Sequence, residues 1–385
     1  MTIDRNVAPN RDVFAWSETR WNGCWNPEAG VGLYLHMGRV RADLDLWWAQ
    51  TVVSLPDGAR AVDRSYGRTS DDCVVRTGSL ELRLTDGGWE SSFDGAAELT
   101  STAALARGAA GSSAPVVPVR WQINAEPSAP VWDLYAGVGD LQEFAGDGHI
   151  QQAFRTSGTV TVADREYPLD GVGFKDHSSG VRKWDGYGRH GFTLAHLPGW
   201  TLHAIQMVGP GGQAAPPMGA VFEGDSQLAL ASLEFEPLAQ ADGGPASQRL
   251  VVQHVDGERK ELTVELLHSI PMVITEDNDN CNGIDWDLPG DPVVLTEGIA
   301  RLTAPDGSVG YGFWERGARR STVTRPVAAS KTEVPRPTKL ECQGPGMASG
   351  RRLRKRVVVM VETASCRLIG GGFGPRVACL GARSR

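Results

Sequence analysis

The sequence predicts an all-β protein of sandwich or barrel type, and three observations carry that prediction. Apolar segments of strand length recur at roughly ten-residue spacing with turn signals between them. Glycine (47) and proline (23) are abundant, as many short connections require. No long stretch repeats its apolar residues with a 3.6-residue period, so few helices are expected. A length of 385 residues suggests two domains, or one large β-domain with extras.

Taken in order, residues 1–30 are polar and aromatic-rich, and Trp21-Asn-Gly-Cys-Trp-Asn-Pro27 reads as an ordered loop or lid. Val31-Gly-Leu-Tyr-Leu-His-Met37 and residues 45–55 read as strands. Pro56-Asp-Gly58 ends the second, because Pro presets φ and Gly tolerates φ > 0. Strands at 73–75, 80–84 and 89–93 follow, with Thr85-Asp-Gly-Gly88 as a hairpin signal. The small-residue stretch 101–118 reads as a surface loop, with at most a short helix at its start. His149-Ile-Gln-Gln-Ala-Phe-Arg-Thr-Ser-Gly-Thr-Val-Thr-Val162 reads as a strand pair. Further strands fall at 191–197, 201–208, 219–222, 228–235, 250–255, 261–267, 292–296, 299–303 and 309–315, with turns at Asp256-Gly257 and Pro305-Asp-Gly307.

Charge and cysteine usage exclude several classes. From Pro326 onward there are 12 Lys+Arg and 3 Asp+Glu, net +9, which leaves the first 325 residues at −17. An acidic body is the wrong surface for a phosphate backbone, so no nucleic-acid partner is expected. The basic tail, 326–385, reads as a poorly ordered or non-native extension. Six cysteines are scattered without a CxxC pair, so neither a zinc nor a redox motif is indicated. No cofactor and no metal are expected. The N-terminus lacks a basic region followed by an apolar run, and no apolar stretch approaches the ~20 residues of a membrane span. A cytoplasmic protein with reduced thiols and no membrane span is expected.

The densest collection of reactive side chains is Gly171-Val-Gly-Phe-Lys-Asp-His-Ser-Ser-Gly-Val-Arg-Lys-Trp184. Asp176, His177 and Arg182 offer a carboxylate, an imidazole and a guanidinium for acid–base work. Neighbouring strand residues point to opposite faces, so Asp176 and His177 share a cavity only if a turn or bulge at Ser178-Ser179-Gly180 re-aims one of them. The competing reading makes Asp176 a structural acceptor, bonded to turn amides and paired with Lys175 or Arg182. His190, His196 and His203 with Asp185 have no diagnostic metal spacing. The acidic run 275–287 lacks the calcium-loop pattern and reads as a solvated loop. Twelve tryptophans suit both cores and ligand cavities.

The 171–184 stretch resembles the Gly-x-Gly-x-Arg-Asp-His-Ser-Trp-Gly-x-Arg-x-Trp segment of a bacterial family of two-domain, lipocalin-like proteins. This family is grouped with carotenoid 1,2-hydratase (hydroxyneurosporene synthase) and the AttH-like proteins. The His149-Ile-Gln-Gln strand and Gly310-Tyr-Gly-Phe-Trp-Glu315 are also similar to it, and the likeness spans about 1–320. Ser179 stands where the family has Trp, and Gln151 where a Glu is expected. The resemblance implies two lipocalin-like β-barrel or half-barrel domains, 1–165 and 166–325, followed by the tail. It also implies an apolar ligand of isoprenoid, steroid or polyketide type, converted by cofactor-free hydration, isomerisation or cyclisation. The alternative is a non-catalytic carrier of the same ligand class. On this reading Asp176 and His177 relay protons and Arg182 orients the substrate. Trp184, Trp286, His149 and Gln151 contact the ligand.

Overall fold

The computed structural model describes residues 4–326, apart from 87, 109, 111–113, 135–147, 182–183, 185, 225, 245–246 and 276–279, and apart from the side chains of 280 and 281. Arg182 and the tail therefore lie outside the described residues.

The first sheet holds β1 (Trp16–Asn26), β2 (Val31–Val40), β3 (Asp43–Ser54), β4 (Ala59–Arg68), β5 (Val74–Thr77) and β6 (Leu80–Thr85). It continues with β7 (Gly88–Ser101), β8 (Val116–Pro127), β9 (Trp132–Asp133), β10 (Gly148–Val162), β11 (Arg165–Pro168) and β12 (Gly171–Val181). Antiparallel pairing runs β1–β2–β3–β4–β7–β8–β10–β12, and β12 pairs back onto β1. The ring is an eight-stranded barrel, with the β5–β6 hairpin, β9 and β11 attached to it. Closure satisfies backbone groups that an open edge would leave bare.

The second sheet repeats the plan. It holds β13 (Arg189–Leu197), β14 (Trp200–Val208), β15 (Met218–Glu223), β16 (Ser226–Phe235) and β17 (Ser247–His254). It ends with β18 (Arg259–Ile274), β19 (Asn280–Asn282), β20 (Val293–Thr303) and β21 (Val309–Arg319). Here the closed ring is β13–β14–β15–β16–β17–β18–β20–β21 and back to β13. Two eight-stranded barrels are thus built from consecutive stretches of chain. Among the described residues no helix is long and apolar enough to cross a membrane.

Three sequence expectations are corrected. Trp21 to Asn26 belongs to β1, a strand held between β12 and β2, not to a loop or lid. Both faces of β1 are buried: Trp21 and Trp25 pack outward against the other barrel, while Glu18, Arg20 and Cys24 are buried in its own barrel. A strand covered on both sides loses the alternation that marks half-buried strands. The 149–162 stretch is one 15-residue strand, not a pair. It lies against β12 at its start and against β8 at its end. Finally, β12 runs through Ser178-Ser179-Gly180 with unbroken register against β1, so no bulge re-aims Asp176 or His177. Gly180 keeps its strand pairing at φ +119, a value that disfavours a side chain. Residues 102–107 do form the short helix foreseen, α1 (Thr102–Arg107), with Ser101 Oγ accepting from the Ala104 amide at 3.2 Å.

The core has three parts. Each barrel is filled by its own apolar cluster, and a third cluster lies in the seam between them. In that seam Trp21 and Phe313 rings approach to 4.0 Å between centroids, and Trp25 meets His268 edge-on at 4.5 Å. Helix α1 ties the barrels further: Thr102 Oγ1 donates to the Ser269 carbonyl at 2.6 Å, and the Ile284 amide to that of Leu105 at 2.9 Å.

Candidate functional site

Strand alternation decides what the Asp176–His177 pair can do. Asp176 stands opposite Trp21 on one side and Gln151 on the other, so it faces the seam. His177 stands opposite Arg20 and Ile150, so it faces the first barrel's interior. The two residues belong to different polar networks.

The interior network is a buried ion cluster capped by the N-terminal segment. His177 Nδ1 lies 2.7 Å from Asp4 Oδ1, and Nε2 lies 3.1 Å from Glu18 Oε1. Arg20 pairs with Asp4 at 2.8 Å, Arg39 with Glu18 at 2.7 Å, and Lys175 with Asp4 at 3.2 Å. Burial alone would raise Glu18, but the His177 hydrogen bond, Arg20 and Arg39 outweigh it and hold its carboxyl below the usual range. The same balance of burial against Arg20, His177 and Lys175 leaves Asp4 well below it. Three cations fixed by two carboxylates make His177 a structural member of the barrel mouth.

The seam network gathers the other predicted residues. Asp176 Oδ1 lies 2.5 Å from His149 Nε2 and accepts from Gln151 Nε2 at 2.9 Å. His203 Nδ1, from β14, donates to Gln151 Oε1 at 3.2 Å. Burial pushes His203 down to about 3, so it is neutral, with its proton on Nδ1. His149 Nδ1 and His203 Nε2 are both buried without a hydrogen-bond partner. Buried polar atoms are nearly always bonded, so these two call for an explanation. Gln151 bridges the two barrels as an amide; the Glu expected there would set a second carboxylate beside Asp176.

The second barrel adds groups that the sequence reading missed. Glu297 on β20 stands directly opposite Glu315 on β21, and both face the seam. Burial first, then Glu315 and Asp176, push Glu297 well above the usual carboxylate range, against a hydrogen bond from Tyr34. Its Oε2 is unpartnered. Glu315 bonds His190 Nε2, and Tyr187 donates to His190 Nδ1 at 2.6 Å. Burial and Glu315 hold the Tyr187 hydroxyl well above its ordinary value, so it stays protonated. A period-2 reading held the signal: in Val293-Val-Leu-Thr-Glu-Gly-Ile299, Glu297 shares a face with Val293, Leu295 and Ile299.

A cavity of about 580 Å³ opens at the first barrel's mouth, within the range of small-molecule sites. Its wall includes Val131, His149, Ile150, Lys175, His177 and Ser179. His149 lines this cavity and also bonds Asp176. Trp184 packs against the seam cluster, 5.2 Å from Tyr187 and at right angles to it. Trp286 lies apart: it packs against the second barrel's core and donates Nε1 to the Ala106 carbonyl at 2.9 Å. His190, His196 and His203 each bond different partners and do not converge.

Solved structures place this architecture. An AttH-like protein (NE1406) from Nitrosomonas europaea superposes with a TM-score of 0.52 at 15% identity, over 78% of this chain and 92% of that one. It supports the lipocalin-like two-barrel fold. CghA (TM-score 0.47, 11% identity, 81% and 93% covered) and kievitone hydratase from Nectria haematococca (TM-score 0.44, 11% identity, 79% and 89% covered) are more distant. No curated protein matches the sequence. Residues 3–319, nearly the whole described chain, match a family described as "Domain of unknown function (DUF7064)", and the chain belongs to that family.

Proposed function

We propose that the mouth cavity of the first barrel holds an apolar small molecule, isoprenoid-, steroid- or polyketide-like, and that the His149–Asp176 pair moves protons on it. The observation that carries this reading is the position of His149. One ring nitrogen is held by Asp176, the other is unpartnered, and the residue lines a cavity of ligand size. Asp176 fixes the ring and stabilises the imidazolium when it forms. Burial first, then Glu315 and Asp176, raise Glu297 well above the usual carboxylate range, which makes it the seam carboxyl that holds a proton most readily.

The chemistry balances without an oxidant or reductant. A neutral His149 takes a proton from a C–H or O–H of the bound molecule and returns it to another atom, which gives isomerisation. In hydration or cyclisation the cycle starts instead from the protonated ring, which gives its proton to an alkene and leaves a carbocation. Water captures it in hydration, or a second double bond in cyclisation, and a proton goes back to His149. The apolar part of the wall, Val7, Pro127, Val131 and Ile150, suits a hydrocarbon body.

The test is mass spectrometry of small molecules extracted from the purified protein. The wild type is expected to retain an apolar compound, and Val131→Trp, which narrows the cavity at its half-exposed rim, to lose it. Asp176→Asn should retain the compound unconverted. A folded Asp176→Asn protein with full turnover would sink the catalytic assignment, leaving a carrier; equal retention by Val131→Trp would move the ligand elsewhere.

A further inference from the structure

We propose that the hairpin turn between β17 and β18 binds a divalent transition-metal ion, zinc foremost, through His254, Asp256 and Glu258. These residues take no part in the seam or mouth networks. One ligand atom from each lies within 4.8 Å of the others. A two-carboxylate cluster on a turn is common on its own. The distinguishing feature is His254, which is fully buried and has no hydrogen-bond partner at either ring nitrogen. A buried imidazole with both nitrogens unpartnered is an exception that calls for a cause.

Its geometry supplies one. His254 Nδ1 lies 3.7 Å from Glu258 Oε2, too far for a hydrogen bond. Two ligand bonds of about 2.0–2.2 Å to a shared ion span that gap at an open angle. The turn is already shaped. The His254 amide donates to the Glu258 carbonyl at 2.8 Å, the Gly257 amide to that of His254 at 3.0 Å, and Asp256 Oδ1 accepts from the Glu258 amide at 3.0 Å. Lys260 Nζ bonds the other Glu258 oxygen at 2.7 Å and so orients that carboxylate, leaving Oε2 toward the imidazole. One imidazole nitrogen and two carboxylate oxygens favour zinc or cobalt over the all-oxygen shells of calcium and magnesium.

The test titrates the full chain with zinc sulfate by calorimetry, in parallel with the variants Asp256→Asn and Glu258→Gln. Both side chains are exposed, so neither change threatens folding as His254→Ala could. One zinc per chain should bind at the turn, with each variant weakening it by at least about tenfold. Cobalt should give a ligand-field spectrum in the wild type that Glu258→Gln changes. No stoichiometric binding, or binding unaltered in both variants, would overturn the assignment. The second outcome would shift zinc to a site such as Asp71, Asp72 and Cys73, where Asp72 already pairs with Arg5 at 2.7 Å.

Discussion

Glu297→Gln isolates the electrostatics of the seam. The folded protein raises this carboxyl well above 4.5, its ordinary value, through burial and the charges of Glu315 and Asp176. Below pH 4.5 folded and unfolded chains both carry the proton, and the group's stabilising contribution is fully present. Above it the unfolded chain releases the proton while the folded chain keeps it, so stability is lost as pH rises toward the folded value. The loss is about 1.4 kcal/mol per pH unit. Glutamine does not titrate, and it replaces a neutral acid by a neutral amide, so the neighbouring carboxylates see little change. Urea unfolding of both proteins between pH 5 and 6 should therefore show the variant gaining stability on the wild type as pH rises, whatever its fixed offset. A difference that stays flat across that interval would mean that Glu297 is ionised in the fold, and its assignment as the seam carboxyl that holds a proton would fail.

Three further outcomes follow from the same structure. Glu18→Ala leaves Arg39 and His177 without their buried partner and should cost about 3–5 kcal/mol in urea unfolding, whereas Glu81→Ala, which frees the half-exposed Arg76 and Arg83, should cost under about 1 kcal/mol. Glu18 has a depressed folded value, so its contribution is fully present above pH 4.5 and lost as pH falls from there through the lower folded value; Glu18→Gln should remove this acid-side slope. Gly171→Ala places a methyl group 2.1 Å from the Trp25 carbonyl oxygen across the β1–β12 ladder, and should cost about 1–3 kcal/mol or more by chemical denaturation; a neutral result would contradict that register.

The architecture was legible because turn chemistry is local. Pro56-Asp-Gly58, Asp256-Gly257 and Pro305-Asp-Gly307 each fall between strands. Alternation allowed Asp176 and His177 to share a cavity only through a bulge, and the regular β12 strand keeps them apart. Signals failed where burial is two-sided: β1 looked like a lid because its polar face enters a barrel and its aromatic face enters the seam. The site was legible only in half. His149, Gln151 and Asp176 sit on adjacent strands β10 and β12, within one segment of sequence. Glu297, Glu315, His190 and His203 come from the other barrel, and only barrel-to-barrel packing brings them near Asp176. Asp4 joins His177 across 173 residues within the first barrel, where the N-terminal segment covers the mouth.

Proton transfer at His149, backed by Asp176, is the central step of the proposed chemistry. The most direct measurement is to incubate the compound extracted from the protein in D₂O with wild type and with Asp176→Asn, and to follow its mass. The wild type should introduce deuterium into the compound or into its hydrated, isomerised or cyclised product, and Asp176→Asn should not. Deuterium uptake that is absent with the wild type, or equal in the two proteins, would contradict acid–base catalysis at this site.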